Sequence, residues 1–282
     1  MSAPDPRLTP ARPDLADIRL RGHVEAARFV AGEPRAIVTA TAPMRGRPAI
    51  AAGLVTEALL GERVQIFEEA DGWAWGQLAD DGYVGYLPAT MLGPPGPAPT
   101  HRVAVLRSFF YPGPDMKLPA RGSAPMGAAV AVAGLSGDFA ETPHGFLWAA
   151  HLRPRDEAAQ DFVAVAEAYR GAPYLWGGKS SLGLDCSGLV QISLAMAGIS
   201  APRDSDMQAA LGSPVPVTPD LAGLQCGDLV CWHGHIGIMR DADTLLHASG
   251  HAMLVVEEPL RQVADRILRV VQRPILTIRR LG

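Results

Sequence analysis

Cys186 lies in the run Leu184-Asp-Cys-Ser-Gly-Leu-Val190, where an apolar helical pattern begins. With Asp185 as the N-cap, its carboxylate accepts backbone N–H bonds and Cys186 falls in the first turn, where the helix dipole favours an anion. That placement makes a thiol nucleophilic. A thiolate nucleophile needs a base, and the base needs an orienting group. His235 begins an alternating run and His247 ends the next one, with Asp241-Ala-Asp243 as the turn between them. An antiparallel register centred near residue 241 brings the two imidazoles together, one able to act as base while the other fixes its tautomer.

The same region admits a metal reading. Cys231, His233 and His235 alternate, so one continuous strand would put all three on one face, and His247 would complete four zinc ligands. The paired spacings typical of strong zinc sites are missing, and the favoured expectation is no metal. Cys226 and Cys231 read as small core residues, and three cysteines in all are too few and too odd for a disulfide framework.

The elements that must carry these residues follow from periodicity. Residues 154–282 begin with helical spacing over Asp156 to Arg170 and a loop, Gly171-Ala-Pro-Tyr-Leu-Trp-Gly-Gly178, and continue with a helix from Cys186 to about Ala197. Strand-like runs come last: 228–232, 235–239, 244–247, 253–256 and 267–271. Helices first and a strand meander afterwards predict an α+β domain. Asp228 is expected to cap a turn before its strand. Upstream, residues 35–95 carry short strands separated by glycine turns, the pattern of a small β-barrel. The stiff Gly93-Pro-Pro-Gly-Pro-Ala-Pro99 linker follows, and residues 98–153 repeat the scheme weakly. Residues 1–34 read as an arm with an amphipathic helical piece over Leu15 to Val30.

Composition narrows the function. In 282 residues, 48% are hydrophobic and 19% charged, enough to bury a core and to exclude global disorder. With 25 Lys+Arg against 29 Asp+Glu the net charge is −4, which gives no basic footprint for nucleic acid or an anionic membrane. The opening lacks a basic stretch followed by an apolar core, so a cytoplasmic location is expected.

Taken together, Tyr174-Leu-Trp-Gly-Gly178, Asp185-Cys-Ser-Gly-Leu-Val190, Gly227-Asp-Leu-Val230, His235-Ile-Gly-Ile238 and Leu246-His-Ala248 resemble the NlpC/P60 cysteine peptidases. The two upstream segments resemble bacterial SH3-like modules, the first through its Gly72-Trp and Gly82-Tyr-Val-Gly-Tyr-Leu stretches. The resemblance implies an α+β, papain-like catalytic domain preceded by two small SH3-like β-barrels. It makes Cys186 the nucleophile, His235 the base and His247 the third, orienting residue, with no cofactor.

Members of that family cut murein peptides between γ-D-glutamate and a diamino acid. The chain is similar to the subgroup that releases L-Ala-γ-D-Glu from free peptides during wall recycling, in which a Pro-Arg-x-Ser-x-x-Gln stretch follows the catalytic helix. Here it reads Pro202-Arg-Asp-Ser-Asp-Met-Gln208. On that resemblance Arg203 forks onto the D-glutamate α-carboxylate, with Ser187 and Ser205 donating beside it. Asp185 takes the substrate α-ammonium, Tyr174 and Trp176 wall the pocket, and Glu57 and Tyr83 are further candidates for the ammonium. The alternatives are an exported hydrolase of intact murein, or an inert hydrolase domain on a peptide-binding scaffold.

Overall fold

The structure, a computed structural model, describes residues 4–282 and divides into two units, the first ending at Arg155 and the second spanning Asp156–Gly282. Residues 1–3 of the expected arm lie outside the described residues.

In the first unit, short strands that bury alternate residues form a sheet over one core, as in Thr41–Arg45, where Ala42 and Met44 point inward. The seven strands run in the order Leu54–Leu59, Thr41–Arg45, Val84–Pro88, Trp73–Leu78, Arg63–Ala70, Glu33–Ile37 and Leu92–Gly93. Ile37, Met44, Val64, Leu78, Tyr83 and Leu87 fill the interior. After the proline linker, three smaller sheets surround a second core that includes Val103, Phe110, Val130 and Leu147. Both modules end alike: Ala89–Met91 and Ala149–His151 are single 3-10 turns between two strands, with matching extended caps.

The arm departs from expectation. Leu15 to Val30 forms no α-helix; it holds the Ala16–Asp17 strand, a 3-10 turn at Ile18–Leu20 and the Phe29–Val30 strand. Asp17 satisfies the Arg19 N–H, and Gly22 sits at a φ of +86°, which diverts the chain from helical geometry. Tertiary contacts then hold the arm to the seven-stranded sheet. Leu15 packs on Phe67 and Trp75, and the Arg12 guanidinium lies 4.4 Å above the Trp75 ring while donating to Tyr86 Oη and Glu68.

The second unit is built around α2, Cys186–Met196, in which every residue but Ala195 is buried. An apolar run hydrophobic on all sides has to be enclosed. Before it lies α1, Phe162–Glu167, capped by Asp161 and shorter than its periodicity implied. After it comes α3, Ser205–Gln208. The antiparallel sheet beside α2 runs Ser213–Val215, Thr277–Arg280, Leu229–Trp232, His235–Met239, Thr244–Ser249 and Leu254–Pro259. The domain is α+β.

One strand assignment is corrected. Residues 267–271 end α4, Leu260–Val271, whose Leu260, Val263, Ala264 and Ile267 recur at helical spacing and pack on the core. The β-branched residues near its end imitate a strand, whereas the strand that follows is Thr277–Arg280, paired on one side with Ser213–Val215 and on the other with Leu229–Trp232. Asp228 behaves as expected: it accepts from the Gln225 N–H and is clamped by the Arg280 guanidinium at 2.6–2.7 Å.

The loop before α2 touches the helix backbone to backbone. A Cβ on Gly188 would lie inside van der Waals contact of the Gly178 carbonyl oxygen, and one on Gly178 would strike the Gly183 carbonyl in the same way. No flexible side chain can move aside there. Gly188→Ala is expected to cost about 1–3 kcal/mol of stability by pushing α2 off this loop, read as a lower midpoint in urea; an unchanged midpoint would contradict this packing.

Candidate active site

The first turn of α2 is fixed by one carboxylate. Asp185 Oδ1 accepts from the Gly188 N–H at 2.7 Å, from Ser187 Oγ at 3.2 Å and from Arg203 Nη1 at 2.9 Å. Its Oδ2 accepts from the Gly177 N–H and from Arg203 Nη2, each at 2.8 Å. Five donors saturate a group with about four lone-pair sites. Arg203, only 1% exposed, donates further to Ser187 Oγ and the Gly178 carbonyl.

The carboxylate expected to take a substrate ammonium and the guanidinium expected to take a substrate carboxylate thus hold each other in this structure. The reason is burial: an isolated charge here would carry a large desolvation cost, which the two-pronged pair offsets.

Cys186, on the next residue, is 6% exposed. Burial pushes its thiol up to about 12, with the Asp185 charge adding to the rise; the Ile236 and Ser187 backbone N–H groups and Arg203 favour the thiolate and oppose it. Tyr174 is half-buried, and its hydroxyl titrates higher than usual because of burial first and then the charges of Cys186 and Asp185. Trp176, in the same loop, is 69% exposed, so core packing does not account for it. Ser205 is half-buried at the start of α3. Glu57 and Tyr83 belong to the first unit, where both are buried and Tyr83 is a core residue of its barrel.

The sheet supplies the imidazoles. His235 Nε2 lies 2.7 Å from His247 Nδ1, and the rings meet edge to face at 4.9 Å. The strands pair Ile238 with Leu246 and Met239 with Leu245, a slip of two residues from the expected register. Asp241 holds the turn by accepting from the Asp243 and Thr244 N–H groups. The zinc alternative fails on strand geometry. The chain reverses at His233 and Gly234, and Trp232 pairs with His235. Cys231 and His235 therefore lie on opposite faces. Among the described residues no three His, Cys, Asp or Glu side chains are arranged so that they could hold one metal ion. Cys231 is buried as expected, whereas Cys226 is exposed, against the core position assigned to it; both, like Cys186, are free thiols.

Sequence reasoning missed the continuation of this chain of groups. His247 Nε2 lies 3.0 Å from Glu258 Oε2, and Arg266 clamps that carboxylate through Nη1 at 2.7 Å and Nη2 at 2.8 Å. Glu258 follows the apolar run of its strand on the face that Val256 shares with His247, and Arg266 lies eight residues on, in α4, so neither is marked by a local signal. Burial, reinforced by His247 and Arg266, pulls His235 down to about 3. Burial likewise lowers His247, against the opposing pull of Glu258. The Arg266 hydrogen bonds hold Glu258 at about 2. Burial thus disfavours the thiolate of Cys186 and the charged forms of both imidazoles, whereas the Arg266 hydrogen bonds favour the carboxylate of Glu258.

Two family models match segments of this chain. Residues 44–92 match the bacterial dipeptidyl-peptidase SH3 domain and residues 171–272 the NlpC/P60 family. A probable endopeptidase of Corynebacterium glutamicum is 35% identical over 40% of this chain and 53% of its own length. A gamma-D-glutamyl-L-lysine dipeptidyl-peptidase of Bacillus subtilis is 34% identical over 32% of each chain. The chain thus spans about half the length of the first relative and a third of the second. A crystal structure of an NlpC/P60 family protein from Bacillus cereus shares the fold at a TM-score of 0.74, with 19% identity, over 88% of this chain and 99% of that one. The chain is accordingly identified by a bacterial SH3 domain at residues 44–92 and an NlpC/P60 domain at residues 171–272.

Proposed function

We propose that the protein is a cysteine endopeptidase that cleaves the γ-D-glutamyl bond to the diamino acid of murein peptides. The observation that carries this reading is Cys186 at the start of α2 together with the His235–His247 pair on the adjoining sheet, within an NlpC/P60 domain. In the first step the Cys186 proton passes to His235 as sulfur attacks the γ-glutamyl carbonyl. The protonated His235 then donates to the leaving amine, which departs as the thioester forms. Water, activated by His235, hydrolyses the thioester and regenerates the thiol. Backbone N–H groups at the α2 start and at Ile236 are available to the oxyanion.

Short free peptides with an unblocked L-Ala are the proposed substrates, and cytoplasmic wall-peptide recycling the proposed role. Support comes from the relative named a gamma-D-glutamyl-L-lysine dipeptidyl-peptidase and from the family description of the SH3 domain. The similarly ended module after the linker is proposed as a second SH3-like barrel. Asp185, Ser187, Arg203, Ser205, Tyr174 and Trp176 are the proposed substrate-binding residues of this unit.

Mass spectrometry of L-Ala-γ-D-Glu-meso-diaminopimelate, its N-acetylated copy and the Cys186→Ala variant tests the reading. Release of L-Ala-D-Glu from the free-amine peptide alone, abolished in Cys186→Ala, is the expected outcome. Equal cleavage of both copies removes the free-amine requirement, and turnover by Cys186→Ala overturns the nucleophile.

The pH profile follows from the depressed His235. Acid removes the base only below its own pKa, so the acid limb of kcat/KM is expected well below the ordinary histidine value of about 6.5. A limb at or above that value would contradict the buried neutral pair. The same shift makes stability fall as pH drops from about 6.5 toward 3, because the unfolded chain takes up a proton there that folded His235 refuses. Separately, Arg203→Met leaves Asp185 buried and unpaired and is expected to cost about 3–5 kcal/mol in urea unfolding; a loss within the noise would mean that the pair does not hold the helix start.

A further inference from the structure

Two imidazoles joined by one hydrogen bond have two equivalent ways of sharing their protons. If His235 Nε2 carries the hydrogen and donates to His247 Nδ1, then His235 Nδ1 is an open lone pair. If His247 Nδ1 carries it, the neutral His235 is protonated on Nδ1 and has no base left for a thiol. The 2.7 Å contact alone does not choose between them.

The choice is made at the far end. An ionised carboxylate only accepts hydrogen bonds, so with Glu258 Oε2 at 3.0 Å, His247 must carry its hydrogen on Nε2. Its Nδ1 is then the acceptor, and the hydrogen of the shared contact belongs to His235 Nε2. We propose that Glu258, clamped by Arg266, is a positioning residue that sets the tautomer of both imidazoles and leaves His235 Nδ1 as the ring nitrogen open to the Cys186 proton. The inference rests on the peptidase reading of Cys186 and His235.

The placement is built in rather than incidental. His247 pairs with Val256 across the strands, and Glu258, two residues on, shares its face. The neighbouring Glu257 faces the other way and meets Arg170 and Arg240. Pro259 ends the strand, α4 turns back, and its Arg266 reaches both oxygens of Glu258. The clamp keeps the carboxylate ionised and aimed, and an ionised carboxylate is what the tautomer argument requires.

The amide isostere separates this role from simple bracing. In Glu258→Gln, the single side-chain oxygen goes to the Arg266 donors and the NH2 turns to His247 Nε2, now forced to accept. Both imidazoles then turn over, and His235 loses its open Nδ1. In Glu258→Ala, nothing imposes the wrong tautomer. For a brace the order of harm is Ala worse than Gln; for a tautomer setter it is Gln worse than Ala.

The experiment is nitrogen-15 NMR of the histidine side chains in the full-length wild type, Glu258→Gln and Glu258→Ala, beside kcat and KM on L-Ala-γ-D-Glu-meso-diaminopimelate. Wild type is expected to show Nε2–H on both His235 and His247. Glu258→Gln is expected to show Nδ1–H on both, with kcat lowered about 10²- to 10⁴-fold at little change in KM, and Glu258→Ala to lose less. Retention of the wild-type tautomers or kcat in Glu258→Gln, or a greater loss in Glu258→Ala, overturns the proposal. The wild-type spectrum decides even if the variants do not fold, since Nδ1–H on His247 overturns it alone. Tautomers that turn over in a protein cleaving no peptide support the relay and sink the peptidase reading. Cleavage by wild type with no tautomer change in Glu258→Gln does the reverse.

Discussion

The buried fork between Asp185 and Arg203 is the interaction on which the second unit depends. A nucleophile at a helix start requires exposed backbone N–H groups, an enclosed helix and a fixed entry angle, which pull against one another. A carboxylate at the N-cap binds the Gly188 N–H and, through its other oxygen, the Gly177 N–H of the preceding loop. That would bury a bare charge were Arg203 not supplied from the segment after α2 to neutralise it. Removing either partner leaves the other as an uncompensated ion, which is why such pairs matter far more when broken than when compared with an apolar alternative.

On the sheet side the same logic operates with different chemistry. A second carboxylate–guanidinium pair, Glu258 with Arg266, stands behind two imidazoles instead of behind a helix cap. Each pair is close to neutral as a unit, so neither forces the thiol or the imidazoles to ionise, and burial is left to decide that they rest uncharged.

Much of the site was legible in the sequence, because helix starts and hairpins are local. The cap at Asp185, the thiol that follows it and the two histidines flanking the Asp241-Ala-Asp243 turn need only short-range rules. What escaped depends on distant packing. Arg203 and Asp185 lie eighteen residues apart, and nothing local says that one is consumed by the other. Glu258 looks like half of an ordinary acidic pair until the strand's parity separates it from Glu257. Residues 267–271 carry strand-like side chains, yet the helical recurrence of Leu260, Val263, Ala264 and Ile267 against the core overrides that preference. The Leu15 to Val30 segment failed in the opposite sense: amphipathic spacing suggested a helix where a glycine and a capped turn shape the chain.

The contact of Gly178 with Gly183 and Gly188 bears on how such a site can diversify. Three backbone segments meet there without room for a single methyl group, so the floor of the catalytic loop is closed to variation by side-chain exchange. Side-chain variation in this loop has to fall at exposed positions such as Trp176, while the segment beneath stays fixed. Side chains can therefore change on the exposed face of the loop without first disturbing the start of α2, a separation of the adaptable from the immutable that is written into the backbone itself.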